Sequence, residues 1–312
     1  MIRVASGAVA ITLLLLTLFL FPMNVPGGDL GICLPSPNEW DIPRIPSRIA
    51  NALLILLAVV LFWLANKKFN FIPEPKPLTS VTLLLQLASN PLSTSFLSTS
   101  TLLLLCNVVV FSIIISTYEA PFSTREFFLA GTFPAIGAMV QYSFIVMVPV
   151  YIGAGLLMKS MRFREFIAFL LGLLAPYWIA VGLGWVSPFA FRFPDSLMIV
   201  NRGAIAGDIF LMLLEVGILA LVGFILSLYN GVRLLSRNSR FRSIHTSFNL
   251  MGYVSVLAIV FDFNNFVAYF GTLALWVAIQ IGAVVHFYHI RHPQVALLLI
   301  LALVLPLYFL SL

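Results

Sequence analysis

The sequence predicts an all-α fold, a polytopic transmembrane helical bundle, and three observations carry that prediction. Of the 312 residues, 61% are hydrophobic and only 9% are charged, whereas about 25% of the residues of a soluble domain are charged. Long apolar runs recur along the whole chain. The net charge is +6, and its basic residues fall mostly in short segments between the runs, as in cytoplasmic loops of membrane proteins. Membrane topology explains the basic character, so we expect no nucleic-acid partner.

The apolar runs predict about eleven spans in one integral-membrane domain, residues 1–312, because a helix needs about 20 residues to cross a bilayer. Outer loops 22–46 and 186–206 and a basic inner loop 230–246 are too short to form a soluble domain. In chain order the predicted spans are residues 5–21, 49–65, 79–97, 101–116, 126–139, 143–158, 166–185, 207–229, 248–261, 266–287 and 295–310.

Span one follows Arg3 and could pass for a signal peptide, but "FPMNVPGGDLG" has no small-x-small cleavage site, so we expect a retained signal-anchor helix. Lys67 and Lys68 close span two. Span three is short or broken, since "SNPLSTSFLSTST" interrupts its apolar run. We expect a helix that ends near Pro91, or a re-entrant segment, with Ser and Thr satisfying freed backbone groups inside protein.

The later spans are regular apolar runs separated by polar or basic turns. Span four follows the Ser/Thr stretch directly, and spans five and six are joined tightly at "VQY". Pro176 is expected to kink span seven. The Arg-rich segment "RLLSRNSRFRSIH" separates spans eight and nine, and the turn after Asp262 separates spans nine and ten.

The positive-inside rule orients this bundle. With the N-terminus inside and all eleven spans crossing, 13 basic residues lie inside and 4 outside. Removing span three as a crossing would invert every later loop, so the count favours a full crossing and places the C-terminus outside. The location predicted is the bacterial inner (cytoplasmic) membrane. The four outer basic residues are all arginines, Arg44, Arg48, Arg192 and Arg202.

Two acidic residues lie in span eight, within "GDIFLMLLEVG". Asp208 and Glu215 are seven residues apart and share a helix face, with Glu215 about 10 Å deeper. A carboxylate at that depth is costly unless it faces protein or water, which predicts a polar cavity. The alternatives are that Glu215 locks two helices together through a hydrogen bond and that Asp208 caps the helix N-terminus.

The first outer loop, "PSPNEWDIPRIPSRIANALL", holds Glu39 and Asp41 on either side of Trp40. We predict Glu39 and Asp41 as candidate catalytic carboxylates; the alternative is that this loop only anchors the protein at the interface. Asp262 is either the polar turn of a hairpin or part of a site level with Asp208. Because arginine binds phosphate in a bidentate manner, the predicted substrate-binding set is Arg44, Arg48, Arg192, Arg202, Asp208, Glu215 and Asp262.

No cofactor or metal site is predicted. His286, His289 and His292 follow at intervals of three, but no acidic or Cys ligand accompanies them. Cys33 and Cys106 have no CxxC spacing and are not expected to pair. The sequence also lacks GxSxG, HExxH, GxxxxGK[ST] and a strand-linked GxGxxG, which argues against soluble-type hydrolases, zinc proteases and nucleotide binders.

The segments "KSMRFREFIAFLLGLLAPYWIAVGLGW", "FFLAGTFPAIGAMVQYSFIVMVPVYIGAGLL" and "NKKFNFIPEPKPLTSVTLLLQLASNP" resemble a family of uncharacterised Bacteroidota inner-membrane proteins, over residues 50–312. The chain also resembles, more weakly, the membrane half of GT-C glycosyltransferases. That likeness implies an acidic residue in the first outer loop, where Glu39 or Asp41 stands, and a lipid-phosphate-linked donor. The chain departs from that pattern because it has no clean paired-acid motif and no soluble outer domain.

Three functions follow as hypotheses. The first is cell-envelope biogenesis, with a lipid-linked, phosphate-bearing substrate bound at the outer face. The second is a transporter or flippase that uses Asp208 and Glu215, with span three as a gate. The third is a non-catalytic scaffold subunit with partner membrane subunits. An outward-open polar cavity near Arg44 would favour the first, and a sealed bundle with Glu215 bonded to a neighbouring helix would favour the third.

Overall fold

The chain is predominantly helical in the residues that its computed structural model describes, which are 2–20, 33–35, 37, 40, 42–72, 78–94, 96–120, 122–187, 207–234, 237–288 and 300. No strand occurs within those ranges. The helices are α1 Ile2–Leu20, α2 Arg44–Phe69, α3 Leu78–Ala88, α4 Pro91–Thr94, α5 Thr99–Ser116, α6 Thr124–Val140, α7 Ser143–Val146, α8 Val148–Leu157, α9 Phe163–Gly182, α10 Gly207–Leu234, α11 Ser239–Phe261 and α12 Phe266–Phe287.

Six of these helices, α2, α5, α9, α10, α11 and α12, are long and apolar enough to cross a membrane. Shorter apolar helices accompany them at Gly7–Thr17, Leu78–Ala88 and Ser143–Leu157. The predicted all-α fold of apolar helices is therefore confirmed. Predicted span eleven, residues 295–310, lies outside the described residues apart from residue 300, and so does nearly all of the predicted outer loop 186–206.

Local signals in the sequence set several helix ends. Ser98 caps α5 by accepting a hydrogen bond from the Ser100 amide, 3.2 Å away. At the start of α9 the Glu165 carboxylate accepts from the Arg162 amide, which is half of a capping box. Asn70 ends α2 in the left-handed conformation at φ 54°, which Asn tolerates better than most residues. Helix α9 continues through Pro176, so this proline does not end the helix.

The third segment is interrupted where the sequence predicts it. Helix α3 ends at Ala88, the four-residue α4 follows, and α5 begins at Thr99. We call residues 89–98 the break. Its backbone is held by α2: Asn51 donates to the Ser93 carbonyl over 2.9 Å, and the Leu97 amide donates to Ser47 Oγ over 2.9 Å. The irregular backbone of the break is thus satisfied by protein side chains, as a segment inside a membrane would require.

Helix α12 forms the centre of the bundle, and nearly all its side chains are buried. Trp276 is fully buried, and the close approach of α10 and α11 to its ring depends on Gly223 and Gly252, where a Cβ would overlap the indole. Helices α6 and α9 approach in the same manner. A Cβ at Gly131 would overlap the Phe169 carbonyl, and one at Gly172 would overlap the Phe128 carbonyl. Small residues at such contacts are the usual basis of helix packing in membranes.

Contacts between loops and helix termini show which helix ends lie together, and so define the two ends of the described bundle. At one end Tyr118 contacts Ser239, with 2.5 Å between their hydroxyl oxygens. At the other, the amides of Cys33 and Leu34 donate to the Met139 carbonyl over 3.1 and 2.9 Å. We call the first the basic end, since its loops and helix termini carry Lys67, Lys68, Arg125, Lys159, Arg162, Arg164, Arg233, Arg237, Arg240 and Arg242. The opposite end carries Arg44 and Arg48.

Candidate functional site at the opposite end

Glu215 lies two turns inside α10 and is only 4% exposed. Ser89 Oγ lies 2.5 Å from its Oε1, and Asn90 Nδ2 donates to its Oε2 over 3.1 Å. The carboxyl group is therefore bonded to the two residues at which span three breaks. In the sequence Glu215 and the interruption of span three are far apart, whereas in the structure hydrogen bonds join them. It is also the geometry that the helix-locking alternative predicts for Glu215.

Ser89 also lies 2.5 Å from the Gln86 carbonyl oxygen. A serine hydroxyl carries one proton and can donate only one bond. Both short contacts become hydrogen bonds when Glu215 carries a proton and donates to Ser89, while Ser89 donates to Gln86. A neutral carboxylic acid satisfies this donor count at a depth where an ion would be costly.

The bonding continues from Glu215 through the break to α2. Asn90 Oδ1 accepts from the Ser93 amide over 3.1 Å, and Ser93 is the residue whose carbonyl Asn51 contacts. Arg48, the predicted phosphate ligand, lies on α2 between Ser47 and Asn51 in sequence and is 8% exposed. We call this hydrogen-bonded chain, from Glu215 through Asn90 and Ser93 to Asn51, the polar layer; the backbone of Arg48 lies within one turn of Asn51 on α2.

Asp262 belongs to a second buried cluster at this end. Its Oδ2 accepts from the hydroxyls of Tyr142 and Tyr269 over 2.6 and 3.0 Å, and its Oδ1 accepts from Asn265 over 3.1 Å. Asn265 also contacts the Tyr142 hydroxyl. The side chain is 1% exposed. These three hydrogen bonds join the hairpin between α11 and α12 to the turn that follows α6.

The remaining predicted site residues are divided between described and undescribed parts of the chain. Arg44 is exposed at the first position of α2. The backbone of Asp208 lies in the first turn of α10. Its side chain lies outside the described residues, as do Glu39, Asp41, Arg192 and Arg202.

An apolar groove opens at the same end, between α5 and α6. Its volume is about 300 Å³, and Trp40 and Pro37 of the predicted first outer loop are among its lining residues. Trp40 is fixed by a hydrogen bond from its indole nitrogen to the Pro35 carbonyl, 3.0 Å long. We call this the Trp40 groove. Its other lining residues are Thr99, Leu102, Leu105, Cys106, Val109, Phe133, Ile136, Gly137, Val140, Gln141 and Phe144.

Sequence reasoning missed the buried amides that join the spans. Asn107 donates to Thr272 over 2.9 Å and accepts from Tyr151 over 2.8 Å. Nearer the basic end, Gln280 donates to Asn249 over 2.7 Å, and Asn230 donates to Gln280 Oε1 over 2.9 Å. The sequence does contain a signal for these contacts. It is a single Asn or Gln within an apolar run, since lipid cannot form hydrogen bonds with the side-chain amide.

The histidines form no common site in the part of the chain that is described. His245 is fully buried with Nε2 2.8 Å from the Phe71 carbonyl, and His286 lies in the last turn of α12. His289 and His292 lie outside the described residues. Within those residues no group of three His, Cys, Asp or Glu side chains could hold a metal ion. Cys33 and Cys106 are both free thiols.

The fold and this polar layer define a helical membrane protein with several apolar helices long enough to span a bilayer. No family model, curated protein or solved structure matches the chain.

Proposed function

We propose that the protein crosses the bacterial inner membrane about eleven times, with the basic end and the N-terminus in the cytoplasm. The support is the segregation of basic residues, because Lys and Arg accumulate in cytoplasmic loops. The opposite end, with the Trp40 groove and the polar layer, then faces outward. The two described arginines of that end, Arg44 and Arg48, are in the set that the sequence places outside.

We propose further that the protein acts in cell-envelope biogenesis by binding a lipid-linked, phosphate-bearing substrate at this outer end. The observation that carries the proposal is the Trp40 groove. It extends along α5 from Thr99 to Val109, about 15 Å at 1.5 Å per residue, which is about half of the apolar thickness of a bilayer. An apolar groove of that length suits the first part of a single acyl or prenyl chain.

The residues predicted to contact the lipid head group lie close in sequence to Trp40, which lines the groove. Glu39 and Asp41 are the sequence neighbours of Trp40. Arg44 follows four residues after Trp40, at the start of α2. A lipid with its tail in the groove would present its phosphate to these residues. Asp41 or Glu39 would act as base or acceptor contact, and Arg44 as a phosphate contact.

Photocrosslinking tests the tail site. The purified protein in nanodiscs is incubated with a diazirine-bearing polyprenyl phosphate, and labelled peptides are mapped. We expect label on α5 and α6, and a loss of label in Trp40→Ala and in the groove-filling variant Leu102→Trp. Trp63→Ala is the matched control, because Trp63 is 41% exposed against 39% for Trp40 and does not line the groove. Equal labelling of all four proteins would exclude the groove as the tail site.

Activity in cells tests the head site. Asp41→Asn and Arg44→Ala should fail to rescue the envelope phenotype that the wild-type gene rescues, while both variants still accumulate in the membrane. Full rescue by both variants would contradict the proposal.

The scaffold function is a second candidate, which the sealed Glu215 favours. In the described residues this carboxyl group is buried and bonded to Ser89 and Asn90 rather than open to a polar cavity. A scaffold needs only the hydrogen bonds of Glu215, whereas a transporter or flippase needs its ability to exchange a proton or bind substrate. Glu215→Gln therefore separates these two, since it keeps hydrogen bonding and removes the ionisable group.

A further inference from the structure

We propose that a second groove, between α2 and α5 at the basic end, binds one anionic phospholipid of the adjacent leaflet, with Lys68 contacting its phosphate. The groove has a volume of about 340 Å³, within the range of small-ligand sites. We call it the Lys68 groove. It is lined by Leu61, Leu64, Ala65, Lys68, Phe69, Val108, Val109, Ser112, Ile113 and Ser116.

The polar and apolar groups of the Lys68 groove are segregated as in a phospholipid. Lys68 and Ser116 stand at the basic end, and Leu61, Val108 and Val109 line the part nearest the bundle centre. From Val108 to Ser116 the groove follows α5 for about 12 Å, close to the apolar depth of one leaflet, about 15 Å. The hydroxyl of Ser116 donates to the Ile113 carbonyl and that of Ser112 to the Val108 carbonyl, both over 2.6 Å. Because these hydroxyls already form hydrogen bonds within α5, the groove walls can pack against an acyl chain.

Charge complementarity identifies the head group. Lys68 is exposed, and its ammonium lies 5.1 Å from the centre of the ring of Phe69, another residue that lines the groove. Lys67 does not line the groove, and its ammonium lies 5.6 Å from the centre of the Trp63 ring. Glu119, in the turn after α5, is paired with Lys159 over 3.3 Å. Basic residues at a membrane surface attract anionic lipids, and Lys68 is the one that lines this groove.

The inference does not depend on the proposed function, although the two grooves meet. Val109 lines both of them. The bilayer-facing side of α5 therefore carries a lipid site at each end, and the tails of the two lipids would converge at Val109. Loss of the Lys68 site would leave the Trp40 groove intact.

Lipid binding to the full-length protein tests the proposal. The probe is a spin-labelled phosphatidylglycerol at low mole fraction in phosphatidylcholine nanodiscs, with spin-labelled phosphatidylcholine as the neutral reference. We expect Lys68→Gln to lower the preference for the anionic lipid by about fivefold, the effect of one basic residue near an anionic surface. Lys67→Gln is the matched control, with the same charge change one residue away, and should lower it far less.

A groove-filling variant tests the tail contacts independently of charge. Ala65→Leu places a larger side chain on the groove floor and should displace bound phosphatidylglycerol although Lys68 is present. Free glycerol phosphate should not compete, since the site requires the tail. Equal losses in Lys67→Gln and Lys68→Gln, or no loss in Ala65→Leu, would overturn the proposal and leave only nonspecific attraction to the basic end.

Discussion

Single buried polar residues determine how this bundle is held together. The sequence predicts that Glu215 should not face lipid, because it lies deep in an apolar run, and in the structure its side chain is buried against protein. It cannot indicate Ser89 and Asn90 as the partners, since they come from a segment 125 positions away. Their proximity depends on which helices pack together. A series of similar apolar runs carries little information about which helices are neighbours.

Substitution of Glu215 shows whether its hydrogen bonds or its charge hold the break. In Glu215→Gln the amide N–H donates to Ser89 and the amide oxygen accepts from Asn90, so both bonds persist. We expect less than about 0.5 kcal/mol loss of unfolding free energy. Glu215→Leu leaves the Asn90 amide unpaired and should cost about 1–3 kcal/mol. Thermal unfolding in detergent measures both, with the exposed Leu214→Ala as the control.

Equal destabilisation by Gln and Leu would mean that an ionised carboxylate is required, contrary to the donor count around Ser89. A Gln variant that is stable but inactive in cells would support the transporter over the scaffold.

At the scale of helices, the sequence predicts the break well because "SNP" combines a proline with residues that favour turns. The polar face of α2 that supports it is not predicted, although Ser47 and Asn51 are one turn apart. In an amphipathic soluble helix such spacing would indicate a solvent-facing side. Here the same residues are buried, since in a membrane the polar side of a helix turns inward.

The contact between α6 and α9 is a second element-scale feature that depends on small residues. Gly172→Ala would place a methyl group against the Phe128 carbonyl, which is backbone and cannot rotate away. We expect a loss of about 1–3 kcal/mol, as for other overpacked contacts. Gly182→Ala on the same helix is the matched control, because a Cβ there meets no atom within 4 Å. Gly172→Ala and Gly182→Ala variants that melt at the same temperature would contradict this packing.

For the whole molecule, the orientation of the bundle determines which groove faces which leaflet, and Cys33 reports it. Cys33 lies at the opposite end and is half-buried, whereas Cys106 is buried in α5. We expect a membrane-impermeant maleimide to label intact cells at Cys33 alone, so that Cys33→Ser removes the label. Burial raises the pKa of the Cys33 thiol. Since the thiolate is the reactive form, the labelling rate should increase as the pH rises through the alkaline range. Label that appears only after the membrane is permeabilised would place the basic end outside, and the Lys68 groove would then face the outer leaflet.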